Sequence, residues 1–299
     1  MDIKQYFNKS MLNKLLGINI AVYLLITVAG IFTFLFGMGG AAEYVVNNAL
    51  ALPASLLRLL YRIWTPITYM FIHYGFWHIL GNMLWLYFMG QIFMMVFNGK
   101  QMFGVYILGG LSGALLYVLF YNLFPVFSSV VNTSTCIGAS ASVTAIVIAI
   151  CVMRPNMEIR IFGIIPLTLK WLAILYVAYD LIQITGSNAG GHIAHIGGAI
   201  FGLLFSTMYR KGKDITNKFN SIIDKIVTLW PTKKYSKSNM HISYRNNSKT
   251  THYTTDEEYN QNKAAQQARM DEILDKISQS GYDSLSKEEK NFLFKMSGK

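Results

Sequence analysis

Charged residues are scarce in this sequence, and acidic residues especially so. Only 14% of the 299 residues are charged, against roughly 25% in soluble domains, while 53% are hydrophobic and the mean hydropathy is +0.35. The 15 acidic residues are outnumbered by 26 basic ones, of which 17 lie from Arg210 onward. The first 209 residues therefore cannot be an ordinary soluble domain. The chain divides into an apolar body and a polar, basic tail.

The net charge of +11 is compatible with nucleic-acid binding but does not require it. Basic residues that flank apolar spans more often fix the orientation of a membrane protein. We therefore expect the lipid bilayer as a partner and no nucleic acid.

Cysteine is nearly absent, with Cys136 and Cys151 as the only two. If both lie on or near one helix, a rise of about 1.5 Å per residue separates them by about 22 Å. A disulfide requires Cα atoms within about 7 Å. On that model the two thiols form no internal bridge.

Six apolar stretches have the length of membrane helices. They span residues 16–37, 76–97, 101–123, 138–153, 168–186 and 190–209. The first could be a secretory signal with "GGAA" at 39–42 as its cleavage site, but its apolar core exceeds the roughly 7–15 residues of a signal peptide. The sequence predicts an all-α membrane protein with six retained transmembrane helices.

The connections that lack basic residues indicate the orientation. Residues 124–137 and 187–189 contain no Lys or Arg. Positive charge marks the cytoplasmic side, so both termini are predicted to be cytoplasmic. The basic residues of the alternate connections and the N-terminus are Lys4, Lys9, Lys14, Lys100, Arg154, Arg160 and Lys170.

Two segments depart from a simple six-span pattern. The fourth span, "GASASVTAIVIAICVM", is too short to cross a hydrocarbon layer of about 30 Å unaided. Its outer end is expected to begin below the membrane surface, in a recess lined by protein. The first external segment, residues 38–75, is long and apolar, and we expect it to be partly embedded in the outer leaflet.

Polar side chains near the outer ends of spans two, four and six are predicted to share one depth. These are His78 and Asn82, Ser140, and His192 with His195. Each has an ordinary explanation alone, since a serine in a membrane helix usually bonds its own backbone. Polar groups inside a membrane are costly and tend to face a functional cavity. Their shared depth favours a common site.

Acyl transfer is the chemistry that suits these groups. Ser140 lies at a predicted helix N-terminus, where unpaired N–H groups can stabilise an oxyanion, each worth about 3 kcal/mol in characterised hydrolases. A serine needs a base to become nucleophilic, and His195 is the best-placed candidate. His78 and Asn82, four residues apart on one helical face, can donate to the same oxyanion.

The sequence resembles the rhomboid family of intramembrane serine proteases. The family pattern of HxxxN, GxSx and AHxxG reads here as "HILGN" (78–82), "GASA" (138–141) and "AHIGG" (194–198), in the family order and on the expected spans. The match covers roughly residues 15–210. It implies a six-helix rhomboid-like bundle with a long, partly embedded first external loop.

The resemblance implies a role for each matched residue. Ser140 is the nucleophile and His195 the general base, forming a dyad without an orienting carboxylate. His78, Asn82 and the backbone N–H of Ser140 form the oxyanion hole. The implied supporting residues are His73, which holds the external loop, Gly138 beside the nucleophile, and the helix-packing pair Gly198 and Gly202.

Three positions depart from the family pattern. Trp64 is followed by Thr65 rather than by the arginine of many relatives, which puts the loop-anchoring contacts in doubt, although Arg62 is near. Ala141 replaces a frequent glycine after the nucleophile. Thr144 stands where some relatives have an aromatic ring that stacks on the histidine, so His195 must be supported differently.

His192 and His195 form an HxxH pair that raises the alternative of a metal site. A zinc site would add His78, but such sites usually need carboxylate or thiolate ligands as well. Asp180 is the only acidic residue inside a predicted span; it could be a buried hydrogen-bonded group or part of a substrate gate. We expect no metal and no cofactor, and an interfacial position for His192.

The expected function is hydrolysis of peptide bonds in or near the transmembrane helices of single-pass membrane proteins. The expected location is a bacterial inner membrane. A catalytically silent rhomboid-like protein that binds membrane clients is the alternative, but such proteins typically lack the serine or the histidine. A proton-coupled transporter is disfavoured because the sequence has no internal repeat.

The tail divides into further parts. We predict a cytoplasmic N-terminus at 1–15, the membrane domain at 16–210, a basic amphipathic segment and linker at 211–255, and a small helical cytoplasmic module at 256–299. The apolar stripe of residues 219–230 fits a helix on the inner membrane surface, or one that packs on another domain. Helices are expected at 256–279 and 287–296, the second with a capping box in "SKEE" (286–289).

Overall fold

The computed structural model describes residues 11–161, 164–229 and 256–296. The chain separates into two units, residues 1–232 and 233–299. The helices of the first unit are α1 (Met11–Leu35), α2 (Ala41–Ala49), α3 (Leu56–Leu60), α4 (Thr65–Thr68), α5 (Phe76–Met94), α6 (Gly99–Leu123), α7 (Ser140–Met153), α8 (Leu169–Ile182), α9 (Ala189–Arg210) and α10 (Asn217–Leu229). Its strands are β1 (Leu52–Pro53), β2 (Thr135–Cys136), β3 (Glu158–Ile161) and β4 (Ile165–Thr168).

All six predicted spans are helical, as α1 and α5 to α9. In the described part of the chain, α1, α6 and α9 are long and apolar enough to cross a membrane, and α7 is a shorter apolar helix. The prediction of an all-α membrane bundle is confirmed. Three boundaries differ by three residues or more. Helix α1 begins at Met11 rather than at residue 16, α5 ends at Met94 rather than at residue 97, and α8 ends at Ile182, where a single 3₁₀ turn, Gln183–Thr185, replaces its predicted last residues.

The short helix α7 forms the centre of the bundle. Every residue from Ala141 to Cys151 is buried, among side chains of α5, α6, α8 and α9. Its 14 residues span only about 21 Å at 1.5 Å per residue. A helix this short and this buried leaves a recess above its first turn. Cys151 lies in α7 and Cys136 in β2, and both are buried free thiols.

Helix α1 lies at the edge of the bundle. It exposes large apolar side chains along its length, including Leu24, Leu25 and Phe32. Its buried polar residue, Asn19, donates to the Leu15 carbonyl at 2.8 Å and to the Tyr106 hydroxyl at 3.0 Å. Exposed apolar surface combined with a satisfied buried amide is the pattern expected where lipid rather than water surrounds a helix.

The external segment contains regular structure that the sequence did not predict. It folds into α2, β1, α3 and α4, and β1 pairs antiparallel with β2, with Leu52 opposite Cys136. Leu52 is fully buried. This pairing brings the connection before α5 and the connection before α7 to one end of the bundle, where α9 also begins.

Arg58 holds the external segment more closely than Arg62, the arginine that the sequence places nearest to Trp64. Its guanidinium donates to the Asn132 carbonyl at 2.8 Å and to the Asn48 side-chain oxygen at 3.0 Å, whereas Arg62 reaches Asn48 only at 3.5 Å. Trp64 adds a bond from its indole N–H to the Ala49 carbonyl at 2.7 Å. Position 65 lacks the arginine of many relatives, and Arg58 of α3 anchors the segment here.

The opposite end of the bundle carries an unpredicted hairpin of β3 and β4, with Ile159 opposite Leu167. Helix α10 packs near the start of α6, where Asn220 donates to the Lys100 carbonyl at 3.0 Å. Ile222 and Ile226 on α10 remain exposed. Phe219, the first residue of the predicted apolar stripe, stacks on Phe103 of α6, so part of the stripe faces protein and part does not. The last residue of the stripe, Trp230, lies outside the described residues.

The second unit contains α11 (Asp256–Ser280) and α12 (Lys287–Met296), which confirms both tail helices. The capping box is also confirmed: Ser286 N–H donates to the Glu289 carboxylate at 2.6 Å, and Glu289 N–H donates to the Ser286 hydroxyl at 3.3 Å. Lys276, 2.9 Å from this carboxylate, and Ser286 together lower the pKa of Glu289 to about 2.

Candidate active site

The loop that precedes α7 is fixed by two hydrogen bonds. Gly138 N–H donates to the Tyr69 carbonyl at 2.9 Å, and Ala139 N–H donates to His73 Nε2 at 3.3 Å. His73 is buried. His73 thus holds the loop that leads into Ser140. From the sequence, a structural role was expected for His73 in the external segment.

Ser140 is the first residue of α7. The first backbone N–H groups of a helix have no intrahelical acceptor, and the positive end of the helix dipole favours anions there. The first described backbone bond of this turn runs from Val143 N–H to the Ala139 carbonyl. The N–H groups of Ser140 and Ala141 are therefore available to a ligand.

One cavity of about 670 Å³ opens above this turn. His78 and Asn82 of α5, Ser140 of α7 and His195 of α9 all line it. The structure thus brings together the four residues that the sequence assigned to catalysis and the oxyanion hole, although they come from three helices far apart in the chain. Trp77, Trp85 and Tyr176 add aromatic walls.

The α5 residues face the nucleophile across Gly138. A Cβ atom built on Gly138 would lie 2.9 Å from His78 Nε2 and 3.5 Å from Ser140 Oγ, so the missing side chain leaves room between them. Asn82 donates one amide N–H to the His78 carbonyl at 2.9 Å. A carboxamide has two N–H groups, which leaves the other for a bound oxyanion.

Replacing Gly138 by alanine is expected to lower both activity and stability. Its φ of +122° is strained for any side chain, at a cost of about 1–3 kcal/mol, and the new Cβ would displace the His78 ring. We expect a reduced cleavage rate together with a lower melting temperature in detergent. Gly37→Ala is the matched control, because Gly37 has a φ of +72° and nothing within 4 Å of its Cβ position. Equal loss of activity in both variants would contradict this explanation.

Asp180 is the site residue whose contact the sequence did not reveal. This buried carboxylate of α8 lies with Oδ1 2.9 Å from His195 Nδ1 and 2.8 Å from His192 Nδ1. The resemblance implied a dyad without a carboxylate, and an interfacial His192. Here a carboxylate contacts the base, and the His192 side chain is only 13% exposed. The lone acidic residue in an apolar span, beside a helix with two histidines, was the available signal.

The aromatic ring beside His195 also comes from α8. The Tyr176 ring centroid lies 6.4 Å from that of His195, and the Tyr176 hydroxyl lies 3.1 Å from Thr144 Oγ1. The Thr144 hydroxyl donates to the Ser140 carbonyl at 2.8 Å. Because its hydrogen is used there, the Tyr176 hydroxyl is the donor in the bond between Tyr176 and Thr144. As the sequence required, the support for His195 differs from an aromatic residue at position 144.

Asp180, His192 and His195 are also the group of described residues that could hold a metal ion, with ligand atoms within 4.8 Å of one another. The Asp180 Oδ1 contacts at 2.8 and 2.9 Å are hydrogen-bond distances. Ligands on a tetrahedral zinc ion with bonds near 2.0–2.1 Å would lie about 3.3 Å apart. The geometry is that of a carboxylate accepting two N–H groups.

Gly198 and Gly202 bring the base toward the nucleophile. Cβ atoms at these positions would collide with the carbonyl oxygens of Ala141 and Ala145, respectively. The α9 backbone therefore lies directly against the α7 backbone, in the manner of small-residue motifs of membrane helices. On another side of α9, Ser112 Oγ donates to the Gly197 carbonyl at 2.8 Å. This packing sets the separation of the helices that carry Ser140 and His195.

Family models match two parts of this chain. A family model described as "Rhomboid domain" matches residues 61–212, just over half of the chain. Another, described as a family of unknown function (DUF6576), matches residues 253–299.

A curated relative is RHOMBOID-like protein 12, mitochondrial, of Arabidopsis thaliana. It is 28% identical to this chain over 162 residues, which are 51% of this chain and 48% of the relative. The match thus spans about half the length of that relative.

Proposed function

The chain belongs to the rhomboid family, and from that premise we propose that it is an intramembrane serine endopeptidase. The observation that carries the proposal is that Ser140, His195, His78 and Asn82 line one cavity at the N-terminus of the short central helix. A membrane protein that only binds its clients has no need for a hydroxyl, an imidazole and oxyanion donors around a single pocket.

In the proposed reaction, Ser140 Oγ attacks the scissile carbonyl while His195 Nε2 takes the hydroxyl proton. The carbonyl oxygen gains negative charge and is stabilised by the backbone N–H of Ser140 and by His78 and Asn82. His195 returns the proton to the leaving amine, and the C–N bond breaks. Water, activated by His195, then attacks the acyl-enzyme by the same steps. This releases the carboxylic acid product and restores Ser140.

We propose that the substrates are single-pass transmembrane proteins, cleaved in or near the membrane span. Three helices of membrane-spanning length and the apolar surface of α1 support a site reached from the lipid. The distribution of basic residues supports cytoplasmic termini, with the cavity opening on the other side. We propose a bacterial inner membrane as the location; the plant relative is named mitochondrial.

A fluorophosphonate probe tests the proposal, because such probes label only activated serines. We expect the full-length protein in detergent to be labelled at Ser140, and labelling to disappear in both Ser140→Ala and His195→Ala. The readout is in-gel fluorescence, with the labelled residue identified by peptide mass. Undiminished labelling of Ser140→Ala would contradict the assignment of Ser140 as the nucleophile. Absence of labelling of the folded wild-type protein would favour the alternative of a catalytically silent client-binding protein.

A further inference from the structure

Asp180 lies beside His195, and the role assigned to it here rests on the proposed function. Asp180 is 2% exposed, and its Oδ1 contacts the Nδ1 atoms of both His195 and His192. We propose that Asp180 is a positioning residue for the base: it fixes the tautomer and ring orientation of His195 and stabilises the imidazolium formed during catalysis, while His192 holds the carboxylate in place.

The hydrogen bond determines which nitrogen of His195 is reactive. An ionised carboxylate only accepts hydrogen bonds, so the Nδ1 atom that contacts it must carry the hydrogen. A neutral imidazole has one N–H group, and the lone pair is therefore left on Nε2. Because His195 lines the cavity with Ser140, this tautomer leaves a proton acceptor for the Ser140 hydroxyl.

The carboxylate also acts on the charge that develops during the reaction. When the Ser140 O–H bond breaks and an Nε2–H bond forms, His195 becomes a cation whose Nδ1–H already points at an anion 2.9 Å away. In this low-dielectric setting the interaction is much stronger than in water. Asp180 itself takes no proton, as in the serine-protease triads.

His192 helps to stabilise the buried carboxylate of Asp180. A buried ionised group needs hydrogen-bond donors to offset its desolvation, and His192 supplies a second N–H at 2.8 Å. It lies one turn before His195 on the same face of α9. With both donors on one oxygen, the carboxylate cannot rotate without breaking one of the bonds, so the orientation of His195 is fixed as well.

The competing explanation is that Asp180 simply ties α8 to α9. Both explanations predict that its replacement lowers stability, but only a positioning role predicts a loss in kcat. Ser206 offers a matched structural control. Ser206 is buried on α9, eleven residues after His195. Its hydroxyl donates to the Ala149 carbonyl of α7 at 2.8 Å.

The experiment measures kcat, KM and the melting temperature of the full-length protein in detergent with a labelled transmembrane substrate. Asp180→Asn is expected to lower kcat by a factor on the order of 10²–10³, by analogy with a factor of about 10⁴ in a soluble triad, with KM changed less than about threefold. Ser206→Ala should lower the melting temperature but leave kcat within about twofold. His192→Ala should lose less than about tenfold in kcat, because the bond from Asp180 to His195 remains.

A conservative variant and a chelator complete the test. Asp180→Glu keeps the charge and displaces it by one methylene, so we expect kcat between those of the wild type and Asp180→Asn, with a melting temperature near the wild-type value. Should Asp180→Asn not fold, this partial loss in the folded Asp180→Glu protein still supports positioning. Activity should be unchanged by 1,10-phenanthroline.

Three results would overturn the inference. These are a kcat for Asp180→Asn within about threefold of wild type, an unchanged kcat for Asp180→Glu combined with a lower melting temperature, and loss of activity on chelation. Failure of the proposed function is distinguishable, because the wild type would then not cut the substrate, or Ser140→Ala and His195→Ala would cut it as fast as the wild type.

Discussion

Substrate cleavage is expected to cease when either Ser140 or His195 is replaced by alanine. Ser140→Ala removes the atom that forms the acyl bond, and His195→Ala removes the group that takes its proton, so each variant loses the whole covalent route. In a soluble serine protease, loss of the serine or the histidine lowers kcat by a factor of about 10⁶. We expect a loss of at least about 10⁴-fold here.

The measurement is the initial rate of cleavage of a labelled single-pass substrate by purified protein in detergent, repeated in proteoliposomes. Ser140→Ala should keep the wild-type melting temperature, since the Ser140 side chain is not fully buried. His195→Ala should melt at a lower temperature, because it removes one of the two N–H donors to the buried Asp180 carboxylate. The double variant should be no slower than either single variant, because residues that act as one unit are not additive. His192→Ala should retain a substantial fraction of activity. Cleavage by Ser140→Ala at the wild-type rate would refute the mechanism.

The helical architecture was readable from the sequence because the bilayer permits few solutions. Backbone polar groups in hydrocarbon must bond within their own helix, so apolar stretches of about 20 residues have a single regular structure available. The six helices follow. The same reasoning does not apply to the connections between helices. It therefore missed the β3–β4 hairpin and the short elements of residues 41–68. The folding of those short elements depends on long-range contacts, such as that of Arg58 with Asn132.

The candidate site was readable where local motifs carry it. The spacing of four residues along one helix places His78 beside Asn82. The start of the fourth apolar stretch places Ser140 at a helix N-terminus. Contacts between helices are a different matter, because they depend on the rotation of each helix about its axis. The sequence showed Asp180 as a lone acidic residue, but not that α8 turns it toward His195 rather than away. Likewise, the ring beside His195 was known to be missing at Thr144, and only the fold supplies Tyr176.

The second large effect is expected from Gly198→Ala, which adds one methyl group between two backbones. The new Cβ would collide with the Ala141 carbonyl oxygen, and the Ala141 carbonyl carbon lies only 2.9 Å from it. A flexible side chain could move aside, but α7 is packed on all sides and the helix cannot. Overpacking of this kind costs about 1–3 kcal/mol or more, and we expect the upper end of that range.

In Gly198→Ala the cleavage rate should fall by more than the loss of folding stability alone would cause. The helices can accommodate the methyl group only by separating, and this moves His195, three residues away on α9, from Ser140, one residue before Ala141 on α7. A displacement of about 1 Å at a reacting pair can cost on the order of 10²-fold in rate. Melting temperature and cleavage rate in detergent, measured on the same preparation, separate the two effects.

Gly30→Ala is the matched control for the Gly198→Ala prediction. Gly30 lies in α1, another membrane helix, and nothing lies within 4 Å of its Cβ position. Alanine there should raise stability by about 0.5–1 kcal/mol, because alanine is the better helix former, and should leave cleavage unchanged. If Gly198→Ala melted and cleaved like the wild type, α9 would have room to move away from α7 without consequence, and helix contact could not be what fixes the distance between base and nucleophile.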